Sequence, residues 1–254
     1  GDGTSTNRSS PVQIGSSSWS QIFAHKSCLF AIRSDSTLWA SGDNTSGRLG
    51  NGTALSTSSP VQIGTSSWTM IAAGGQFVTA IRSDKTLWAW GNEPLIGSGS
   101  MRSSPAQVGT SSWTQISLGY GHILAIDINS KLWAGGWNQF GELGNNLQNS
   151  SGIGMQSIDA VNSWIQVSAG YGYSMGLRST NKLYAWGDNT LGQVGASVSP
   201  LQFTYASTGY GSVIIRNDGS AYVFGRNTDG MLGDGTTTNK SSPVQISGGG
   251  SWSK

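Results

Sequence analysis

The chain repeats itself, and that constrains its fold more than anything else in it. The phrase AIRSD begins at Ala31 and again at Ala80, and its relatives AIDIN, GLRST and IIRND begin at Ala125, Gly176 and Ile214. The steps are 49, 45, 51 and 38 residues. A second phrase follows each copy: LWASG from Leu38, LWAWG from Leu87, LWAGG from Leu132, LYAWG from Leu183 and AYVFG from Ala221. A unit this short buries little apolar surface alone, so tandem copies must stack to make a core.

Each pair of phrases is two apolar runs joined by a few polar residues (SDST, SDKT, INSK, STNK, NDGS), the pattern of a β-hairpin. Asp218-Gly219 is the clearest of these turns. Upstream lies a WxxI-type strand (Trp19–Ile22, Trp68–Ile71, Trp113–Ile116, Trp164–Val167) that ends in a small-residue bend such as AAGG or SLGYG. Downstream comes G-x-N-x-x-G-x-L/V-G, as GDNTSGRLG, GWNQFGELG, GDNTLGQVG and GRNTDGMLG; the second repeat has only the degenerate GNEPLIG. An SPVQI strand closes the unit. Four strands in about 46 residues fit one propeller blade. No stretch has helical periodicity. The expected fold is therefore all-β, a β-propeller-like ring of about five four-stranded blades. Its expected layout is a single repeat domain over 1–254, with a partial outer-strand copy at 1–18 and repeats at about 19–67, 68–112, 113–163, 164–202 and 203–251.

The order W-x-x-I-x-A-G, A-I-R-x-D, L-W-A-W-G, G-x-N-x-x-G-x-L-G, S-P-V-Q-I resembles the regulator of chromosome condensation repeat and covers nearly the whole chain. The resemblance implies a β-propeller. That family commonly has seven blades, whereas five hairpin cores are present here. It also implies guanine-nucleotide exchange as an activity to weigh, although the extra loops of the eukaryotic exchange factors have no match here.

The ends share one phase of the repeat. Residues 1–14 (GDGTSTNRSSPVQI) match 233–246 (GDGTTTNKSSPVQI) at 12 of 14 positions. Either a longer array is cut in register, or one terminal copy lends an outer strand to a blade built by the other end and so covers an exposed sheet edge. A chain that begins on Gly1 is expected to be a processed or excised product.

Composition narrows the function. Charged residues are 10% of the chain, against about 25% in ordinary domains, yet 11 Trp, 7 Tyr and 6 Phe argue against disorder. Burying one such ring is worth roughly 4–6 kcal/mol gross. A net charge of +2 without a Lys/Arg cluster gives no nucleic-acid footprint. The lone Cys28 excludes an internal disulfide and cysteine-rich metal sites. No apolar run approaches a membrane span, so no membrane insertion is expected.

No catalytic set emerges. His25 and His122 occupy different columns of the repeat; His122 shares its column with Cys28, Phe77, Tyr173 and Ser212 and reads as packing. The Asp and Asn residues of the loops (Asp43, Asp188, Asn227, Asp229, Asp234) read as Asx-turn formers rather than as a converging calcium set. No cofactor and no metal is expected. Asn-x-Ser/Thr triplets at Asn7, Asn44, Asn51, Asn149 and Asn239 would be acceptors only in a glycosylating host. Trp39, Trp88, Trp133 and Trp186 on one strand, and Trp19, Trp68, Trp113 and Trp164 on another, read as inter-blade packing; Trp90 and Trp137 are expected to be more exposed.

One column points to binding. Just after the bend of the WxxI strand stand Lys26, Gly75, Tyr120, Tyr171 and Tyr210. Three glycine-flanked tyrosines would lie near one mouth of a ring, either as a contact surface or as a channel plug. The leading expectation is a non-catalytic structural or interaction module with Lys26, Tyr120, Tyr171 and Tyr210 as ring-face contacts. Its setting would be extracellular: a cell-surface or secreted protein, or a phage virion component such as a tail, fibre or capsid-decorating protein. Its partner would be a protein or further copies of itself. The alternative is a soluble propeller binder of a protein or carbohydrate ligand, inhibitor-like or lectin-like, and the third reading is a guanine-nucleotide exchange factor.

Overall fold

The computed structural model describes residues 2–25, 27–75, 77–92, 101–194, 203–246 and 252. Unit 1, Gly1–Ile116, carries two antiparallel sheets. The first runs β1 (Trp19–His25), β2 (Cys28–Arg33), β3 (Leu38–Gly42), β4 (Thr57–Gln62), and the second β5 (Trp68–Ala73), β6 (Phe77–Arg82), β7 (Leu87–Asn92), β8 (Met101–Gln107). Unit 2, Ser117–Lys254, accounts for the rest. The remaining sheets are β9 (Trp113–Leu118, which spans the unit boundary), β10 (His122–Asp127), β11 (Lys131–Asn138), β12 (Asn149–Asn162); then β13 (Trp164–Ala169), β14 (Tyr173–Arg178), β15 (Leu183–Gly187); then β16 (Phe203–Thr208), β17 (Gly211–Arg216), β18 (Ala221–Gly225), β19 (Lys240–Gln245). Every sheet is a meander in chain order, and no helix occurs among the described residues. Four sheets have the expected four strands. The fourth has three among the described residues.

One turn makes all five central hairpins. In the first, Ser36 N donates to Arg33 O (2.9 Å) and Arg33 N to Thr37 O (2.9 Å), a type I turn closed by a left-handed residue. That residue is Ser36, Lys85, Ser130, Asn181 or Gly219 in successive repeats, with φ between 59° and 81°. Asp35 fixes the turn by accepting from Thr37 N (2.9 Å) and Thr37 Oγ1 (2.6 Å), and Asp84–Thr86 and Asp218–Ser220 do the same. The fourth strand carries a proline. Ala40 faces Val61 and Gly42 faces Thr57, so Pro60 sits where the ladder bulges and no amide is needed. Pro105 and Pro243 occupy the same place in β8 and β19.

Neighbouring sheets pack through large side chains. In unit 1, Trp68 and Trp90 bury against Phe30, Leu38, Leu49 and Ile63. In unit 2, Trp164 packs on Leu124, Leu132 and Leu143, and Phe203 packs with Met175 and Leu177. The strand register corrects the tryptophan columns. Trp39 and Trp88 stand opposite Ala31 and Ala80, and the residue opposite Gly176 is Tyr184, not Trp186. Trp186 instead matches Trp90. Both donate Nε1 to a loop carbonyl of the preceding repeat, Glu142 O (2.8 Å) and Arg48 O (2.7 Å). Trp90 is thus fully buried, contrary to the expectation of exposure, because its indole N–H has a partner inside. Trp137 is 37% exposed.

The arginine of AIRSD also has a packing role. Arg33 lies 4.0 Å from the Trp39 ring centroid, Arg82 3.4 Å from Trp88, and Arg178 4.6 Å from both Trp164 and Tyr184. In the third repeat Asp127 takes the place of arginine. It holds Trp133 by a hydrogen bond from Nε1 to Oδ2 (3.0 Å) instead.

Candidate functional site

The bends of unit 2 set the tyrosines in a row. Tyr120 N donates to Gly170 O (3.3 Å) and Tyr171 N to Gly209 O (3.2 Å), tying each bend to that of the next sheet. Hydroxyls reinforce the tie: Ala169 N donates to Ser117 Oγ (3.0 Å), Thr208 N to Ser168 Oγ (3.0 Å), and Ser168 Oγ lies 2.8 Å from Thr208 Oγ1. With the backbones held at this spacing, the rings meet. Tyr120 and Tyr171 have centroids 4.7 Å apart, and Tyr171 and Tyr210 stack at 5.2 Å with 22° between planes.

The loops after the third strands close the row at both ends. In three of them the residue between Gly and Asn donates its N–H to a bend carbonyl: Trp137 to Gly121 O (2.9 Å), Asp188 to Gly172 O (2.9 Å) and, in unit 1, Asp43 to Ser27 O (3.0 Å). That position therefore stands beside the tyrosine column in these loops. Trp137 lies 5.9 Å from Tyr120, and the Arg226 guanidinium is 5.3 Å from the Tyr210 centroid. The order is Trp137, Tyr120, Tyr171, Tyr210, Arg226. Tyr171 is 46% exposed and Tyr210 51%. Phe140, also exposed, adjoins Gly172, where an added Cβ would meet its ring at 3.0 Å. Tyr120, Tyr171 and Tyr210 are thus brought together. Lys26 lies outside the described residues, and Gly75 of the same column belongs to unit 1. The sequence reading missed Phe140 and Arg226; aligning the x of G-x-N across repeats would have found Arg226.

Beneath the row the polar groups are used internally. Ser174 Oγ donates to Glu142 O (2.7 Å), so Nε2 of buried His122, 2.9 Å away, is the donor to that hydroxyl. Burial depresses the His122 pKa to about 3, and the ring is neutral at physiological pH. Tyr173 repeats the relay: its hydroxyl lies 3.0 Å from Ser212 Oγ, which donates to Gln193 O (3.2 Å). Burial pushes the Tyr173 phenol up. It also raises the carboxyl of Glu142, which accepts from Phe140 N at 2.7 Å.

The Asx residues serve the loops. Asn227 accepts from Leu232 N (2.9 Å) while its Nδ2 reaches Asp234 Oδ1 (3.0 Å) and Thr236 O (2.9 Å); Asn44 and Asn138 do the same from buried positions. Asp234 turns back onto Thr236 N (3.0 Å). Asp229 pairs with Arg226 (3.1 Å).

Comparison with known proteins bears on the repeat and the fold. Two models of the Regulator of chromosome condensation (RCC1) repeat match the chain, one over 164–193 and the other over 35–81 and 218–253. The chain is 31% identical over 126 residues to the Ultraviolet-B receptor UVR8 of Arabidopsis thaliana, covering 44% of this chain and 29% of the receptor. It thus spans less than a third of that relative. Human WBSCR16 superposes with a TM-score of 0.81 at 14% identity, over 92% of this chain and 68% of the other. Prp20p of Saccharomyces cerevisiae gives 0.81 at 19%, over 91% and 64%. Repeat phrases, sheet order and these likenesses together support an RCC1-like β-propeller, with regulator of chromosome condensation repeats matched at 35–81, 164–193 and 218–253.

Proposed function

We propose that the chain is a non-catalytic protein-binding module that meets its partner through the aromatic row of unit 2. The stacking of Tyr120, Tyr171 and Tyr210, with two of the rings about half exposed, carries this reading. A rigid row of amphipathic rings loses few rotors on binding, as interface aromatics do. Their faces are turned to one another and flanked by Trp137 and Arg226, so the row offers ring edges and hydroxyls. That arrangement favours a protein surface over a carbohydrate, which stacks on open ring faces. Prp20p, similar in fold, is described with binding properties to Gsp1p and histones. The extracellular, cell-surface or virion setting belongs to the same proposal and rests on composition alone.

The test is a photo-crosslinking residue placed at Tyr171 or Tyr210, with exposed Ile128, in the turn between β10 and β11, as control. A protein partner should be captured from the first two positions and not from the third. Replacing Tyr120, Tyr171 and Tyr210 by serine should then weaken the captured complex by about 30-fold or more, the loss expected for truncated hot-spot tyrosines. Unchanged affinity removes the row from the interface.

A further inference from the structure

We infer that the outer edge of β15 accepts the segment Asp2–Ile14 from a second copy of the chain, which supplies the fourth strand that this sheet lacks among the described residues. The sequence shows the deficit. Between the G-x-N loop and the next first strand, the first repeat has seventeen residues (51–67) and the fifth has eighteen (234–251), but the fourth has seven (196–202). Phe203 is the start of that next strand, because it faces Arg216 as Trp19 faces Arg33 and Trp68 faces Arg82.

The structure shows the consequence on the host side. Leu38, Leu87 and Leu132 at the start of the third strand are at most 1% exposed, and Ala40, Ala89 and Ala134 at most 2%. Their counterparts Leu183 and Ala185 are only half-buried, and Tyr184 is 38% exposed. Asn189, the counterpart of fully buried Asn44, Asn138 and Asn227, is exposed. It still accepts from Val194 N (3.0 Å). The amides of the other three bind a loop that the fourth repeat is too short to make. A cleft of about 820 Å³ runs beside β15, lined by Tyr184, Ala185 and Trp186 and opposite them by Leu147, Ile158 and Asp159.

The donor is written at the other end of the chain. Residues 2–14 differ from 234–246 only by Ser5 for Thr237 and Arg8 for Lys240, and the latter segment forms the loop and fourth strand of the fifth sheet. The loop geometry is already formed in the donor. Asp2 accepts from Thr4 N (3.0 Å) and Thr4 Oγ1 (2.8 Å) as Asp234 does from Thr236 (3.0 and 2.8 Å), and Arg8 pairs with Asp2 (2.8 Å) as Lys240 does with Asp234 (3.2 Å). Yet residues 9–14 form no strand, and Val12 is 47% exposed. In its own chain the segment lies along the first sheet, where Gly3 N donates to Ser58 O (3.1 Å) and Val12 and Ile14 line a cavity with Trp19 and Trp39. In its own chain the segment is thus engaged at the first sheet, and the strand offered to β15 comes from another copy.

The register follows from β18, where Tyr222, Val223 and Gly225 face Gln245, Val244 and Lys240. On β15 it becomes Gln13 opposite Tyr184, Val12 opposite Ala185 and Arg8 opposite Gly187, with Asp2, Thr4 and Thr6 enclosing the Asn189 amide. Adding a strand to an open edge is an established mode of recognition and removes a site of uncontrolled pairing.

The test uses the full chain, a variant lacking residues 1–15, and a synthetic peptide of residues 2–14. Sedimentation should show concentration-dependent self-association of the full chain and a monomeric truncated variant with an unchanged circular dichroism spectrum. Adding the peptide to that variant should slow amide exchange at residues 184–187 by about tenfold or more. A scrambled peptide, or one carrying Val12→Pro, should not. Full-chain monomers with unprotected 184–187 amides, or no protection by millimolar peptide, would overturn the inference. Protection of those amides in a strictly monomeric full chain would also overturn it, by showing that the chain's own segments cover the edge.

Discussion

Single residues in this chain answer to the repeat before they answer to function, and stability measurements can separate the two. Asn227 holds its loop at two points, Leu232 N and Thr236 O, from a fully buried position. Asn227→Ala should cost about 2–3 kcal/mol in urea unfolding, since it strands the buried Leu232 amide and removes the loop's carbonyl contacts. Asn189→Ala, at the exposed counterpart, should cost well under about 1 kcal/mol. Lys85 holds φ 68° in its hairpin turn. Lys85→Gly should raise stability by about 0.5–1 kcal/mol by relieving left-handed strain. His122 gives a pH signature. Its pKa is about 3 folded and about 6.5 unfolded, so its contribution is complete above that unfolded value and is lost as pH falls from there toward 3. Between pH 7 and pH 5 the wild type should lose about 2 kcal/mol that His122→Phe does not lose. Glu142, with its raised carboxyl, acts in the opposite direction in both proteins and cancels in the difference.

At the scale of the element, the hairpin and the edge strand were legible from sequence because their determinants are local. A left-handed turn residue after Asp or Asn, and a proline on an outer strand, declare themselves within a few positions. The inter-sheet contacts were not legible. Trp90 and Trp186 owe their place to carbonyls of Arg48 and Glu142, more than forty residues earlier in sequence. Gly50 and Gly144 admit those indoles: an added Cβ would meet Nε1 at 2.7 and 2.8 Å, at φ of 79° and 74°. Gly50→Ala and Gly144→Ala should each destabilise by about 1–3 kcal/mol in thermal or urea unfolding. An alanine at Gly52, which meets nothing closer than 3.7 Å, should show only the cost of its positive φ.

For the whole molecule, a net charge of +2 and one guanidinium at the end of an aromatic row predict partner binding that salt hardly touches. Affinity should change by less than about threefold between 50 and 500 mM NaCl; a steep fall would mean that charge, not the tyrosines, carries the interface. The amino-acid sequence alone determined the strand phrases, their turns, the five-fold recurrence and the three-tyrosine column, because periodicity and turn chemistry act over a few neighbouring residues. Only the tertiary structure decided that the tyrosines stack, that Trp137 and Arg226 flank them, that Trp90 is buried and that β15 is less buried than its counterparts. Each of those depends on what a neighbouring sheet brings alongside, and side chains forty residues apart in sequence meet only once the sheets have packed.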